Sequence, residues 1–130
     1  MMKWTEFRSS DAVRSLMASL GPAGNQVDEE GQPWTWLGAL DASESFRDLR
    51  RNVVYLNNPD HGHFIAAFRR RVRTASTGEY FLLLGIAAVC DFGHVADQTT
   101  KRQMWQGFYA RLDDEHARAL ACCVYHAATA

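Results

Sequence analysis

The stretch Tyr80-Phe-Leu-Leu-Leu-Gly-Ile-Ala-Ala-Val-Cys90 decides the fold. It holds no charged side chain, and at 100° per residue its apolar groups cover every side of a helix. Helices of that kind are the buried centres of their domains. Eleven residues rise only about 17 Å as a helix, too short to cross the roughly 30 Å hydrocarbon core of a bilayer. A central helix over roughly 79–96 is therefore expected, with other helices wrapped around it.

The flanking sequence supplies those helices. After a Ser9 or Ser10 cap, Val13, Leu16, Met17 and Leu20 fall at helical spacing, and Gly21-Pro22 marks a stop. Trp4 and Phe7 just upstream suit a hydrophobic staple. Residues 21–40 read as an irregular, partly acidic loop region around Asp28-Glu29-Glu30, in which Trp34, Trp36, Leu37 and Leu40 fit either a helical turn or a strand. Asp41 with Glu44 resembles a capping box, and Phe46, Leu49, Val53 and Leu56 mark one face of a helix ending at Asn57-Asn58-Pro59. Asp60 caps the next, with Phe64, Ile65, Phe68, Val72 and Ala75 facing inward and Gly78 as its break. Thr99 or Thr100 opens a helix carrying Met104, Trp105, Phe108, Tyr109 and Leu112. Asp113 or Asp114 opens the last, with Ala117, Leu120, Ala121 and Val124 as its inner face. No internal repeat or linker interrupts the pattern. The expectation is all-α: a single-domain bundle of five or six helices over residues 1–130, around one buried helix.

Composition limits the function. Of 130 residues 47% are hydrophobic and 22% charged, with a formal net charge of −1. Such a chain is neither disordered nor generally basic. The opening MMKWTEFRSSDAVRS lacks an apolar core segment, so no secretory leader is expected. Three cysteines make no disulfide framework and suit reduced thiols in a cytoplasm.

The neutral total conceals an asymmetry. Residues 1–46 carry three basic and seven acidic side chains, whereas residues 47–73 carry seven arginines against Asp48 and Asp60. Residues 74–130 return to a slight acidic excess. Phe64, Ile65, Phe68 and Val72 facing inward turn Arg69, Arg70 and Arg73 outward, with Arg71 on a flank. Arg47, Arg50 and Arg51 lie three and four apart on the preceding helix, and an antiparallel hairpin would join the two sets on one surface. Guanidinium forks grip carboxylates and phosphates, and arginine is favoured at protein interfaces. The plainer reading is a solvated basic face answered by acidic groups of the same chain. The pair Trp34 and Trp36, next to the loop 21–33, is a candidate aromatic anchor for a partner, with burial in the bundle as its alternative.

Cys90 and His94, and again Cys122 and His126, stand four apart, which aligns thiol and imidazole on one helix face. Two such faces opposed would present four ligands to a zinc ion. No Cys-x2-Cys, His-Glu-x-x-His, Walker loop or nucleophile elbow accompanies them, and Asp91-Phe92-Gly93 matches a kinase triplet in letters alone. Cysteine is also a common core filler. The expectation is therefore a non-enzymatic binding protein of inhibitor, immunity or adaptor type, as small bacterial and phage chains often are. It would hold no cofactor and grip a protein or a protein–nucleic-acid complex through Arg47, Arg50, Arg51, Arg69, Arg70 and Arg73. Direct nucleic-acid binding by the same arginines is one alternative, and a metal protein or enzyme built on the Cys/His pairs is another. No membrane partner is expected. Trp105, Tyr109 and Tyr125 either cover the central helix or face a second copy of the chain.

Overall fold

A computed structural model describes residues 2–20, 35–56, 64–90 and 112–129. Among them the protein is all-α: seven helices and no strand. They are α1 (Trp4–Ser9), α2 (Asp11–Ala18), α3 (Trp36–Asp41), α4 (Phe46–Leu56), α5 (Phe64–Thr74), α6 (Thr77–Val89) and α7 (Asp114–Thr129). The buried side chains form one cluster, to which all seven helices contribute.

The central helix is α6. From Tyr80 to Cys90 only Ala88 is exposed, as an all-round apolar helix requires. It starts earlier than expected. Ser76 is its N-cap, its hydroxyl accepting from the Glu79 amide at 3.3 Å while the Glu79 carboxylate accepts from the Ser76 amide at 2.9 Å. The break between α5 and α6 thus falls at Ala75-Ser76, and Gly78 sits inside the first turn of α6. That glycine lets His116 of α7 pack close, since a Cβ there would lie 3.1 Å from the imidazole. The helix ends at Val89, and 91–96, expected as its continuation, lie outside the described residues.

Glu79 also pairs with Arg71 of α5, joining successive helices. The Ser76 amide first, and the Arg71 guanidinium after it, hold the Glu79 carboxyl below its ordinary value of 4.5. A depressed carboxyl contributes stability that is present above the unfolded value and lost as pH falls through the folded one. The Glu79→Gln variant should therefore lose less stability than the parent between about pH 5 and pH 3, read as the urea midpoint against pH. Parallel curves would refute this role.

The most extensive packing is α6 against α7. A Cβ on Gly85 would lie 2.9 Å from Leu120 Cδ1 and 3.1 Å from Cys123 Cβ, so the two backbones approach where a side chain is missing. On α7 the buried residues are Ala119, Leu120, Cys122 and Cys123. This corrects the expected inner face: Leu120 is inside, but Ala121 and Val124 face out. Alanine and cysteine differ little in apolar character, so the sequence periodicity of α7 is weak, and the two adjacent thiols rotate the face inward.

Around this pair, α2 buries Val13, Leu16 and Met17, with Leu20 just beyond it, as its spacing predicts. Ser10 caps it, and the Glu115 carboxylate of α7 accepts from both the Ser10 hydroxyl (2.6 Å) and the Ala12 amide (3.1 Å). Trp4 and Phe7 form a helix of their own, α1. Part of the region expected to be irregular is helical as well. Thr35 caps α3 by accepting from the Gly38 amide at 2.9 Å, which resolves the helix-or-strand ambiguity and shortens the loop expected over 21–40. Residues 21–34 lie outside the described residues.

Asp41 closes α3 and does not open α4. Its carboxylate takes a two-pronged contact from Arg14, at 2.7 and 3.3 Å, and its carbonyl accepts from Arg8 at 2.7 Å. Ser45 starts α4 instead, accepting from the Asp48 amide at 3.2 Å. Phe46, Leu49 and Val53 are buried along α4, and Phe68 and Val72 along α5, with Ala75 just after it. The expected core positions Leu56, Phe64 and Ile65 lie outside the described side chains. Asp60 and the helix expected from Thr99 or Thr100 lie outside the described residues. No described helix is long and apolar enough to cross a membrane.

Candidate binding surface

The arginine-rich segment occupies α4 and α5, and its members serve unlike ends. On α4, Arg50 Nε donates to the Val89 carbonyl at 3.1 Å, satisfying a group that the C-terminus of α6 leaves open. Arg51 pairs with Asp48 one turn back at 3.2 Å; its side chain is 72% exposed, and such contacts contribute less than about 1 kcal/mol. Arg47 is exposed and makes no hydrogen bond or ion pair among the described residues.

On α5, Arg71 is structural. It donates through Nε to Ser19 Oγ at 2.9 Å and through Nη1 to Thr74 Oγ1 at 3.3 Å, besides pairing with Glu79. Arg69, Arg70 and Arg73 are exposed. No acidic residue lies anywhere on α5.

One arginine from each set reaches α6, at opposite ends of that helix. Arg50 is anchored at Val89, the last residue of α6, and Arg71 at Glu79 in its first turn. Ten residues of helix separate those anchors by about 15 Å. Helix α4 packs chiefly on α3, and α5 on α6.

Trp36 is fully buried. As a member of the core it offers no surface to a partner, which corrects its expected place as an exposed anchor. The Thr35 cap turns α3 so that Trp36, Ala39 and Leu40 all point inward. Trp34 lies outside the described residues.

Cys122 and His126 do share one face of α7, yet they serve separate packing groups. Cys122 Sγ donates to the Met2 carbonyl at 3.2 Å. The His126 ring stacks on Phe46 with centroids 4.2 Å apart and planes 23° from parallel, beside the cluster of Trp4, Phe7 and Phe46. Cys90 and Cys123 are fully buried, and burial pushes the Cys90 thiol up to about 12 and the Cys123 thiol well above its usual 9.0. Among the described residues no three His, Cys, Asp or Glu side chains converge as a metal site, and His94 lies outside them. Buried thiols held protonated react slowly. All three cysteines should therefore resist a disulfide-exchange reagent in the native protein and react promptly in denaturant. Rapid native labelling of any one of them would contradict the packing.

One feature escaped the sequence. Between α4 and the C-terminal ends of α6 and α7 lies a cavity of about 420 Å³, lined by Phe46, Arg47, Arg50, Val89, His126 and Thr129. Its walls come from segments 40 and 80 positions apart, and no local motif announces such a meeting. An acidic–imidazole contact, Asp113 with His116 at 2.8 Å, closes the start of α7. There the Asp113 carboxylate also accepts from the His116 amide, which keeps its carboxyl below its usual value.

No protein-family model matches the chain, and comparison with curated proteins and with solved structures returned no significant match.

Proposed function

We propose that this chain is a non-enzymatic binding protein that grips an acidic macromolecular partner through the outer face of α5. The observation that carries the reading is the row Arg69, Arg70 and Arg73, all exposed on a helix without a single carboxylate. Arginine interfaces of this kind recognise carboxylate surfaces with planar, two-pronged contacts. Arg47 and Arg51 extend the basic character onto α4, and Arg50 contributes charge while it closes α6. A protein surface, or the protein part of a nucleic-acid complex, is the favoured partner. The α5 arginines have no Asn or Gln beside them to read bases, and the helix keeps its aromatic Phe68 inside. The three buried free cysteines suit a reducing cytoplasm. An inhibitor, immunity or adaptor role, of the sort small bacterial and phage proteins perform, follows from this reading.

The test is the triple charge reversal Arg69→Glu, Arg70→Glu, Arg73→Glu, with binding measured against the proteins that the parent chain retains from its host lysate. Binding should fall at least about a hundredfold while the helical circular dichroism spectrum is unchanged. Unaltered binding would end the proposal. Titration of generic duplex DNA and of RNA against salt separates the nucleic-acid alternative, which requires affinity that drops steeply as salt rises.

A further inference from the structure

The cavity at the joint of α4, α6 and α7 has the makings of a ligand site. At about 420 Å³ it exceeds the room a bare inorganic ion needs and falls at the small end of pockets that hold organic molecules. Phe46 and Val89 supply apolar wall, and the ring of His126 lies parallel to Phe46 at its edge. Arg47 and Arg50, one turn apart on α4, supply two guanidinium groups. Among the described residues no carboxylate lines the cavity.

The orientation of Arg50 is set by its own structural contact. Its Nε is spent on the Val89 carbonyl, which pins the planar group and leaves the two terminal nitrogens without a hydrogen bond among the described residues. Arg47 has no such contact among the described residues. The His126 ring also makes no hydrogen bond there, and in every protonation state an imidazole keeps at least one N–H to donate. Thr129 donates its hydroxyl to the Tyr125 carbonyl at 2.8 Å, so its oxygen can still accept.

Electrostatics favour an anion even though α6 and α7 both end here. Each helix C-terminus carries about half a negative charge, and two guanidinium groups outweigh two such ends. Closing one carbonyl needs one nitrogen of Arg50; it does not account for the rest of Arg50 or for Arg47.

We propose that this cavity binds a small organic anion, a carboxylate or phosphate monoester on a flat apolar body, with the anionic group held by Arg47 and Arg50 and the body against Phe46 and His126. The site is independent of the α5 face, and neither assignment requires the other.

Phenyl phosphate, benzoate, inorganic phosphate and benzyl alcohol, titrated separately into the intact protein, test it. The readouts are calorimetry and the nuclear magnetic resonance signals of the His126 ring. At least one aromatic anion should bind saturably with a dissociation constant of about 1 mM or tighter and shift the His126 signals, while benzyl alcohol does neither. Whichever of the two anions binds distinguishes phosphate from carboxylate recognition. Arg47→Gln alters an exposed side chain with no described partner, so the thermal melt should be unchanged and the affinity at least about tenfold weaker. The triple α5 charge reversal should leave this titration as it was, whatever it does to partner binding. Absence of saturable binding by both aromatic anions, or equal affinity in Arg47→Gln, overturns the site. Inorganic phosphate binding as tightly as phenyl phosphate overturns the role given to the apolar wall.

Discussion

Replacing Trp36 with alanine is expected to destabilise the protein by about 3–5 kcal/mol, the usual loss for emptying a fully buried aromatic site. For a chain of this length that corresponds to roughly 12–20 °C in the thermal midpoint. The loss is a large share of the 5–15 kcal/mol that holds a typical domain together, so the variant should melt early and show a reduced denaturant midpoint with an unchanged slope. The measurement also separates two roles for this side chain. A tryptophan exposed as a binding anchor would leave the melt untouched and weaken only partner capture. A midpoint within about 2 °C of the parent would mean that Trp36 does not pack as described. Trp36→Phe, which restores much of the lost volume, should recover most of the deficit.

Gly85 carries the second large effect. At the α6–α7 crossing, the added Cβ of alanine meets the mobile end of Leu120 at 2.9 Å and the stiffer Cys123 Cβ at 3.1 Å. Leu120 can swing aside, and alanine gains about 1 kcal/mol of helix propensity over glycine. Gly85→Ala should therefore be within about 1 kcal/mol of the parent. Gly85→Leu has no such escape, because its branches need the space already filled by the Leu120 and Cys123 side chains of α7. It should lose about 3 kcal/mol, the upper end of overpacking penalties, or about 12 °C by calorimetry. The contrast between the two variants identifies the cause. If leucine is tolerated as well as alanine, the helices do not approach closely there.

These two sites also show what the sequence makes legible. An eleven-residue run apolar on every side admits one reading, burial at the centre, and α6 meets it. Helix α2 was equally plain, since Val13, Leu16, Met17 and Leu20 contrast sharply with the polar residues between them. Helix α7 offered no such contrast: among alanines and cysteines the inner face is chosen by fit against α6, and Gly85 on the other helix takes part in that choice. Short α3 was ambiguous because six residues hold too little periodicity, although Thr35 with Gly38 three positions on was a capping signal available to be read.

The arginines mark a different limit. Their density along 47–73 was evident, as was the outward turn of Arg69, Arg70 and Arg73. Which of the others point to solvent was not, because their partners come from afar. Arg50 meets a carbonyl 39 positions away and Arg71 a hydroxyl 52 positions away. Charge patterning reports that a face is basic; only the tertiary fold tells an arginine that closes a helix end from one that faces a partner. For the same reason the cavity beside Arg47 had no counterpart in the sequence.

The contacts of α7 with the first residues bear on how the protein is made. Glu115 completes the cap of α2, Arg118 pairs with Glu6 at 2.8 Å, and Cys122 reaches the Met2 carbonyl. Each joins residues more than a hundred positions apart. A ribosome adding about 5–20 residues per second needs roughly 5–20 s between the synthesis of those partners. Throughout that interval the emerging α1 and α2 lack the neighbour that closes them, and the apolar α6 emerges before the helix that covers its largest face. Assembly of this bundle therefore waits until α7 has been made, and the window before α7 appears is when a chaperone has most to shield.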